Sequence, residues 1–336
     1  MAKIDDYFIS MCRDILENGT TTEGQKVRPH WEDGTPAYTI KKFGVVTRYN
    51  LSEEFPILTL RRTPVKSAFD ELLWIFQQKS NNVHDLHSDI WNAWADETGS
   101  IGRAYGYQMA VKHRYADITR EGLEKAFPGA TIPSIGEGPE KLRPEDAARC
   151  NLSESEFRRT RAIYEEAGKV YYLDQMDRVL YDLVNNPFSR RIMTNLYDFE
   201  DLHAMHLYPC AYSMTFNVTQ ERETGQLVLN GILNQRSQDI LTAFAWNEAQ
   251  YSILLAVIAR CVGMKAGEFV HVIADAHIYD RHQDAVRELI ARTPKPAPKV
   301  ILNPERNRFY DFTRDDVHLE GYETAGDQIR NIPVAI

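Results

Sequence analysis

Residues 208–251 place a thiol, an anion binder and an amide close together in the chain. Cys210 precedes an alternating apolar segment. A thiolate there could attack an electrophilic carbon, given a cation or a helix N-terminus to depress its pKa. Arg236 follows, expected on the neighbouring strand of the same sheet. Arg236 and Ser237 together offer a fork of N–H donors and a hydroxyl, which suits a phosphate. Asn247 stands at the head of a long apolar helix and could read the donor–acceptor pattern of a base. His277 and Tyr279 alternate at a strand end, so both can face one cavity. Each also has an ordinary reading. A Cys in an apolar strand packs as a small hydrophobe, a lone Arg is surface charge, an Asn caps a helix, and polar residues mark a sheet edge.

The elements that must position these groups follow from hydrophobic period. Helical spacing predicts amphipathic helices over residues 4–18, 65–78, 170–186 and 280–291, and a helix apolar almost all round over 246–262. Alternation predicts strands over 37–51, 192–196, 214–218, 227–233 and 269–274. Glu71 lies inside the most apolar part of its helix. It either faces solvent or is buried with a raised pKa that suits proton transfer. Arg190 and Arg191 stand at a helix-to-strand junction, as surface charge or aimed at a phosphate. Residues 110–168 are charge-rich with four prolines and read as an inserted small helical lobe in a single domain spanning 1–336. Strands and helices mix without regular βαβ alternation, which predicts an α+β fold. No GxGxxG or phosphate-loop motif opens a helix, so a dinucleotide fold has no support.

Bulk composition narrows the partners. At 336 residues, 43% hydrophobic and 26% charged, the chain can bury a sizeable core. The net charge of −9 argues against a nucleic-acid coat, and no DNA partner is expected. No apolar run reaches the roughly 18 residues of a membrane span, and the N-terminus is not a secretory signal. Cys12, Cys150, Cys210 and Cys261 are scattered without a CxxC or a Cys/His cluster. Free thiols in a reducing cytoplasm and no metal site are expected.

The order of motifs carries more than any of them alone. Pro209-Cys210, Gln235-Arg236-Ser237-x-Asp239, Asn247-x-x-x-Tyr251, Asp275-x-His277-x-Tyr279 and the terminal Pro333-Val334-Ala335-Ile336 resemble the folate-dependent, cysteine-using thymidylate synthase family. The N-terminal half agrees, with Arg28 before Asp33-Gly34-Thr35, then Glu71-Leu72-Leu73-Trp74, Trp91-x-x-Trp94, Gly102-x-x-Tyr105-Gly106-x-Gln108 and Ser189-Arg190-Arg191. The resemblance implies a mixed β-sheet layered with helices, and a homodimer joined sheet to sheet. It implies that Cys210 adds to C6 of dUMP and that 5,10-methylenetetrahydrofolate is the co-substrate. Arg28, Arg236 and Ser237 would hold the phosphate, and Arg190 and Arg191 would enter the partner subunit's site. Gln235 and Asn247 would meet the base, and His277 and Tyr279 the deoxyribose. Glu71 and Tyr105 would manage protons, and Asp239 and Trp91 would meet the folate. The Ile336 end would close over the ligands.

This chain departs from the family's usual pattern at several positions. Ala211 stands where His is common, Ala243 and Trp246 replace a Gly and a Phe, Asn92 and Ala93 replace an acidic pair, and Asn234 replaces a Tyr. Two alternatives stand beside methyl transfer: a dUMP hydroxymethylase of the same fold, in which water captures the exocyclic methylene, and a non-catalytic nucleotide- or RNA-binding relative. An acid at position 247 would suit dCMP, and the Asn present there argues for uracil.

Overall fold

Helix α1 (Lys3–Asn18) turns Ile4, Phe8, Met11, Cys12 and Ile15 inward. It stops at Gly19, where a Cβ would sit 2.3 Å from the Ile15 carbonyl oxygen, so a larger residue cannot leave the helix there. Asp5 is buried on the same face and accepts hydrogen bonds from the Thr59 N–H at 2.8 Å and the Thr59 hydroxyl at 2.6 Å. That contact ties residues 55–59 to the first helix. The structure is a computed structural model and describes residues 2–115, 117–129, 136–138 and 170–336.

The remaining elements follow in chain order. Strands β1 (Thr20–Thr21) and β2 (Thr39–Asn50) lead to helix α2 (Val65–Phe76), then the short α3 (Gly106–Ala110). Next come β3 (His113–Tyr115), α4 (Arg120–Ala126), β4 (Gly136–Gly138), β5 (Val170–Leu173) and α5 (Gln175–Asn185). Strands β6 (Met193–Asn195), β7 (Ala211–Gln220), β8 (Leu227–Gln235) and β9 (Gln238–Asp239) precede the long helix α6 (Phe244–Cys261). Strand β10 (Lys265–Tyr279), helix α7 (Gln283–Ile290) and the hairpin β11 (Lys299–Leu302) and β12 (Val317–Glu320) complete the described chain.

Seven strands form the main sheet in the order β1-β2-β10-β8-β7-β6, with β9 also on β10. Strand β10 runs parallel to β8 and antiparallel to β2, so the sheet is mixed. Helix α6 packs on β8 and β10, α1 on β2 and β10, and α2 packs behind α6. This is the α+β layering expected. Because successive side chains point to opposite faces, one face meets the helices, and among the described residues the other carries exposed side chains. Phe43 (90% exposed), Val46 (51%), Met193 (47%) and Ile232 (42%) leave apolar surface on these strands. Among the described residues, no helix is long and apolar enough to cross a membrane.

Two expectations need correction or restriction. Residues 170–173 are a strand, not the start of a helix; they pair with β3 and β4 in a small separate sheet. The sequence there is Val-Tyr-Tyr-Leu, β-branched and aromatic, and Asp174 then caps α5 by accepting the Asp177 N–H at 3.0 Å. The expected helical lobe at 110–168 lies largely outside the described residues, and what is described there holds β3, α4 and β4.

Candidate active site

Cys210 sits one residue before β7, and the β7–β8 register sets Ala211 opposite Gln235. Arg236 therefore falls beside Cys210. Its backbone N–H donates to the Cys210 carbonyl at 2.9 Å. The guanidinium is fixed by two carbonyls, with Nε 3.0 Å from Pro209 O and Nη2 2.7 Å from Tyr208 O. Nη2 then lies 3.7 Å from the thiol sulfur. Burial pushes the Cys210 thiol above its ordinary pKa, and Arg236 and Arg28 pull it back without winning. Arg236 thus favours the thiolate, but in the chain by itself desolvation of the sulfur outweighs both cations.

A cavity of about 360 Å³ opens beside the thiol, lined by Arg28, Thr39, Arg236, Ser237, Asp275, His277 and Tyr279 among others. Two arginines and a hydroxyl in its lining suit it to an anion. His277 and Tyr279 do face one space, with ring centroids 5.1 Å apart. Asp275 orients His277 from 2.8 Å and is itself paired to Lys41 at 2.7 Å. The C-terminus borders this cavity. Ile336 exchanges two backbone hydrogen bonds with His30, at 2.8 and 3.0 Å.

Glu71 neighbours Tyr105 and Tyr251, the two phenols that also neighbour the thiol. It is buried on α2, and burial, opposed by hydrogen bonds from Gln250, Trp91 and Trp246, raises its pKa to about 7. The indole N–H groups of Trp91 and Trp246 are buried and close no hydrogen bond of full geometry. The solvent-facing reading of Glu71 is excluded, since Glu71 is buried, as are most residues of its helix, and α6 packs against that helix. Tyr105 and Tyr251 link this carboxyl to the thiol: both phenols are pushed up by burial and further by Cys210 and Glu71. The Tyr105 hydroxyl accepts the Cys210 N–H at 3.1 Å. Tyr105 holds φ at +47°, a region costing about 1–3 kcal/mol for a non-glycine residue. The next residue must be Gly106, whose Cβ would meet Ser80 O at 1.9 Å. Trp91 stacks edge-on against Tyr105 at 4.8 Å.

Other expected residues lie outside the cavity's lining. Gln235 does not line the cavity. Its side chain is buried, because strand alternation turns it to the helix face, where its nitrogen donates to Ser237 O at 2.9 Å and lies 3.4 Å from Asn247 Oδ1. Asn247 is not a cap, since α6 begins at Phe244 and the Asn247 N–H already bonds Ala243 O. Asp239 is half-buried and ionised: burial raises its pKa, but His282, His277 and Thr242 carry it below the usual range. It accepts the Leu241 and Thr242 N–H groups and the Thr242 hydroxyl. Arg190 and Arg191 are exposed and are not among the cavity's lining. Among the described residues, no cluster of His, Cys, Asp or Glu could hold a metal ion.

Sequence reasoning missed His282, which stands 3.5 Å from Asp239 and donates to Pro333 O at 2.8 Å, joining the C-terminal segment to the site. It also missed Glu248 and Gln250. Both are polar residues inside an apolar helix, which is a readable sign of a buried partner.

A thiol beside an arginine of a cavity with two arginines, and sharing two tyrosine neighbours with a carboxyl of pKa about 7, is a set of groups suited to nucleophilic chemistry on an anionic substrate. The family model described as thymidylate synthase matches residues 6–335. Thymidylate synthases of Bacillus mojavensis and of Bacillus phage phi3T are each 34% identical over 333 residues, covering 98% of either chain. That of Clostridium beijerinckii is 32% identical over 328 residues, covering 96% of each. The solved structure of thermostable thymidylate synthase A from Bacillus subtilis superposes with a TM-score of 0.75 at 32% identity over the whole of both chains. The chain belongs to the thymidylate synthase family, a family of methyl-transferring enzymes that bind dUMP and a folate co-substrate.

Proposed function

We propose that this enzyme converts dUMP to dTMP, using 5,10-methylenetetrahydrofolate and releasing dihydrofolate. The observation that carries the reading is the placement of Cys210 beside Arg236 of the Arg28–Arg236–Ser237 cavity, with Tyr105 and Tyr251 neighbouring both the thiol and Glu71. The substrate's phosphate sits against Arg28, Arg236 and Ser237. His277 and Tyr279 meet the deoxyribose. Asn247 pairs with the uracil edge, held from behind by Gln235. The Cys210 sulfur then forms a bond to C6, and the electron pair of the C5–C6 double bond passes toward O4, making C5 a nucleophile.

When bound, the folate supplies the one-carbon unit and the hydride that reduces it. Its fit rests on two side chains: Asp239 is an ionised acceptor for ring N–H groups, and Trp91 offers an aromatic border. Glu71 can take or give a proton through water near O4, because its pKa of about 7 keeps both forms populated. Tyr105 serves removal of the C5 proton. The Ile336 end, already laddered to His30, excludes water that would otherwise capture the one-carbon intermediate.

A homodimer completes the site. The bare apolar sheet face is the surface for the second subunit, and Arg190 and Arg191 of each subunit add cations to the other's phosphate site. The extra positive charge also favours the Cys210 thiolate, which the chain by itself does not.

The test is the mass of the nucleotide product from dUMP and methylenetetrahydrofolate, with dihydrofolate followed by absorbance. Formation of dTMP and dihydrofolate in equal amounts is expected. Formation of 5-hydroxymethyl-dUMP without dihydrofolate would mean that water, not hydride, captures the methylene.

A further inference from the structure

Behind the base-reading amides lies a buried polar chain that the reaction itself does not use. Glu248, His271, Gln235 and Thr47 are all buried in the layer between α6 and the sheet. The Thr47 hydroxyl donates to Glu248 Oε1 at 2.7 Å, and the Tyr49 hydroxyl reaches the same oxygen at 3.4 Å. His271 Nδ1 stands 3.3 Å from that oxygen, and His271 Nε2 stands 2.9 Å from Gln235 Oε1. Gln235 Nε2 continues to Ser237 O at 2.9 Å and to Asn247 Oδ1 at 3.4 Å. Side chains from β2, α6, β10 and β8 thus form one line ending at the base reader.

Donor and acceptor rules fix the sense of this line. The Ser237 carbonyl can only accept, so the Gln235 nitrogen must face it. The Gln235 oxygen is then turned to His271, whose Nε2 must carry hydrogen to meet it. The second Gln235 N–H points at Asn247, so the Asn247 oxygen turns toward Gln235 and its NH2 turns away. That leaves an NH2 donor and one acceptor lone pair for the base. A uracil edge offers an acceptor at O4 and a donor at N3, which match. A cytosine edge offers the reverse pattern and would need the amide turned over. Without His271, Gln235 Oε1 would be a buried acceptor with no donor, a costly state that rotation of Gln235 would relieve.

We propose that the His271–Glu248 pair is a positioning element that locks the Gln235 and Asn247 amides in the uracil-reading sense. Glu248, held by Thr47, orients the His271 ring; His271 holds Gln235; and Gln235 holds Asn247. The proposal rests on the dUMP reading given above. Glu248 adjoins Asn247 in sequence, so one turn of α6 carries both the reader and the far end of its support.

The test is calorimetric binding of dUMP and dCMP to the full chain, its His271→Phe variant and its His271→Gln variant. Phe keeps an aromatic ring beside Phe269 but cannot donate, whereas Gln can. The dUMP-to-dCMP affinity ratio should fall about tenfold in His271→Phe and return most of the way in His271→Gln, the scale of one unmet buried hydrogen bond. A merely structural role would weaken both nucleotides together and leave the ratio unchanged, which would overturn the proposal. Where His271→Phe does not fold, Glu248→Leu decides by the same ratio, with a fall of about threefold expected and no fall overturning it. A parent chain that does not prefer dUMP to dCMP would defeat the uracil reading first, and the relay with it.

Discussion

Cys210 has the right neighbours for a nucleophile but not, by itself, the right charge state. Burial sets its pKa above the usual thiol, against Arg236 at 3.7 Å and the more distant Arg28. The Cys210→Ala variant should lose turnover by about 10⁴-fold or more, the scale of deleting a covalent nucleophile. Its far-ultraviolet circular dichroism and melting should stay near the parent's, since a half-buried thiol packs little; dTMP formation and thermal melts check both. Glu71 has the opposite profile, a buried carboxyl with a pKa raised from 4.5 to about 7. Glu71→Gln should cut kcat by about 10²–10³ and erase the limb of the kcat–pH profile near 7. Stability is linked to the same shift. The folded state holds a proton that the unfolded chain releases above about pH 4.5. Stability present below that pH is therefore lost as pH rises through about 7, by on the order of 3 kcal/mol from the difference of about 2.5 pKa units. Denaturant melts at pH 4.5 and pH 8 should show this slope in the parent and a flatter one in Glu71→Gln.

At the scale of elements, the site is built where chain ends and strand ends meet. Strand β10 spans the sheet and delivers Asp275, His277 and Tyr279 at its end, while the β7–β8 pair delivers Cys210 and Arg236. Helices α2 and α6 pack together and supply Glu71 from one and Gln250, Trp246 and Asn247 from the other. The C-terminal segment is held by His282 at Pro333 and by His30 at Ile336. Deleting Ile336 removes two backbone hydrogen bonds, together about 2 kcal/mol. The expected outcome is an approximately tenfold or greater rise in KM for the folate and a fall in kcat, with the melting temperature barely changed. Steady-state kinetics against both substrates would check it; an unchanged KM would mean that the tail does not close the site.

At the scale of the molecule, the described residues cover the sheet with helices on one face only. Phe43, Val46, Met193 and Ile232 leave apolar surface that a solitary subunit would expose to water. Introducing Glu at Val46 and Ile232 together should place like charges across a two-fold face and yield a monomer by sedimentation. That monomer should also lose activity, because Arg190 and Arg191 then have no site to complete. Mixing Cys210→Ala subunits with Arg190→Ala subunits should recover activity that neither shows alone, since one of the two sites in the mixed dimer has every group. Absence of recovery would count against shared sites.

Much of this was legible before any coordinates. The two central helices, the long strands and the α+β class follow from hydrophobic period, which is local and survives in the chain as written. The order of Cys210, Arg236, Asn247 and His277 was enough to indicate the family, because the chemistry dictates residue types at a fixed succession of strand and helix ends. Three things were decided only by the folded structure. Whether Glu71 faced water or core was undetermined by periodicity on a helix apolar nearly all round; α6 closing over it settled the matter and moved its pKa. Gln235 belonged to the motif but turned out to support the base reader from inside the core, since the strand's alternation and the Ser237 turn aim it there. The thiol's ionisation was the third. Pairing brings Arg236 to the sulfur, but desolvation sums over every neighbour and outweighs it. Sequence determines which groups are available and roughly where along an element each stands. Distances between strands remote in the chain, and the dielectric around a group, exist only once those strands are paired and the core is closed.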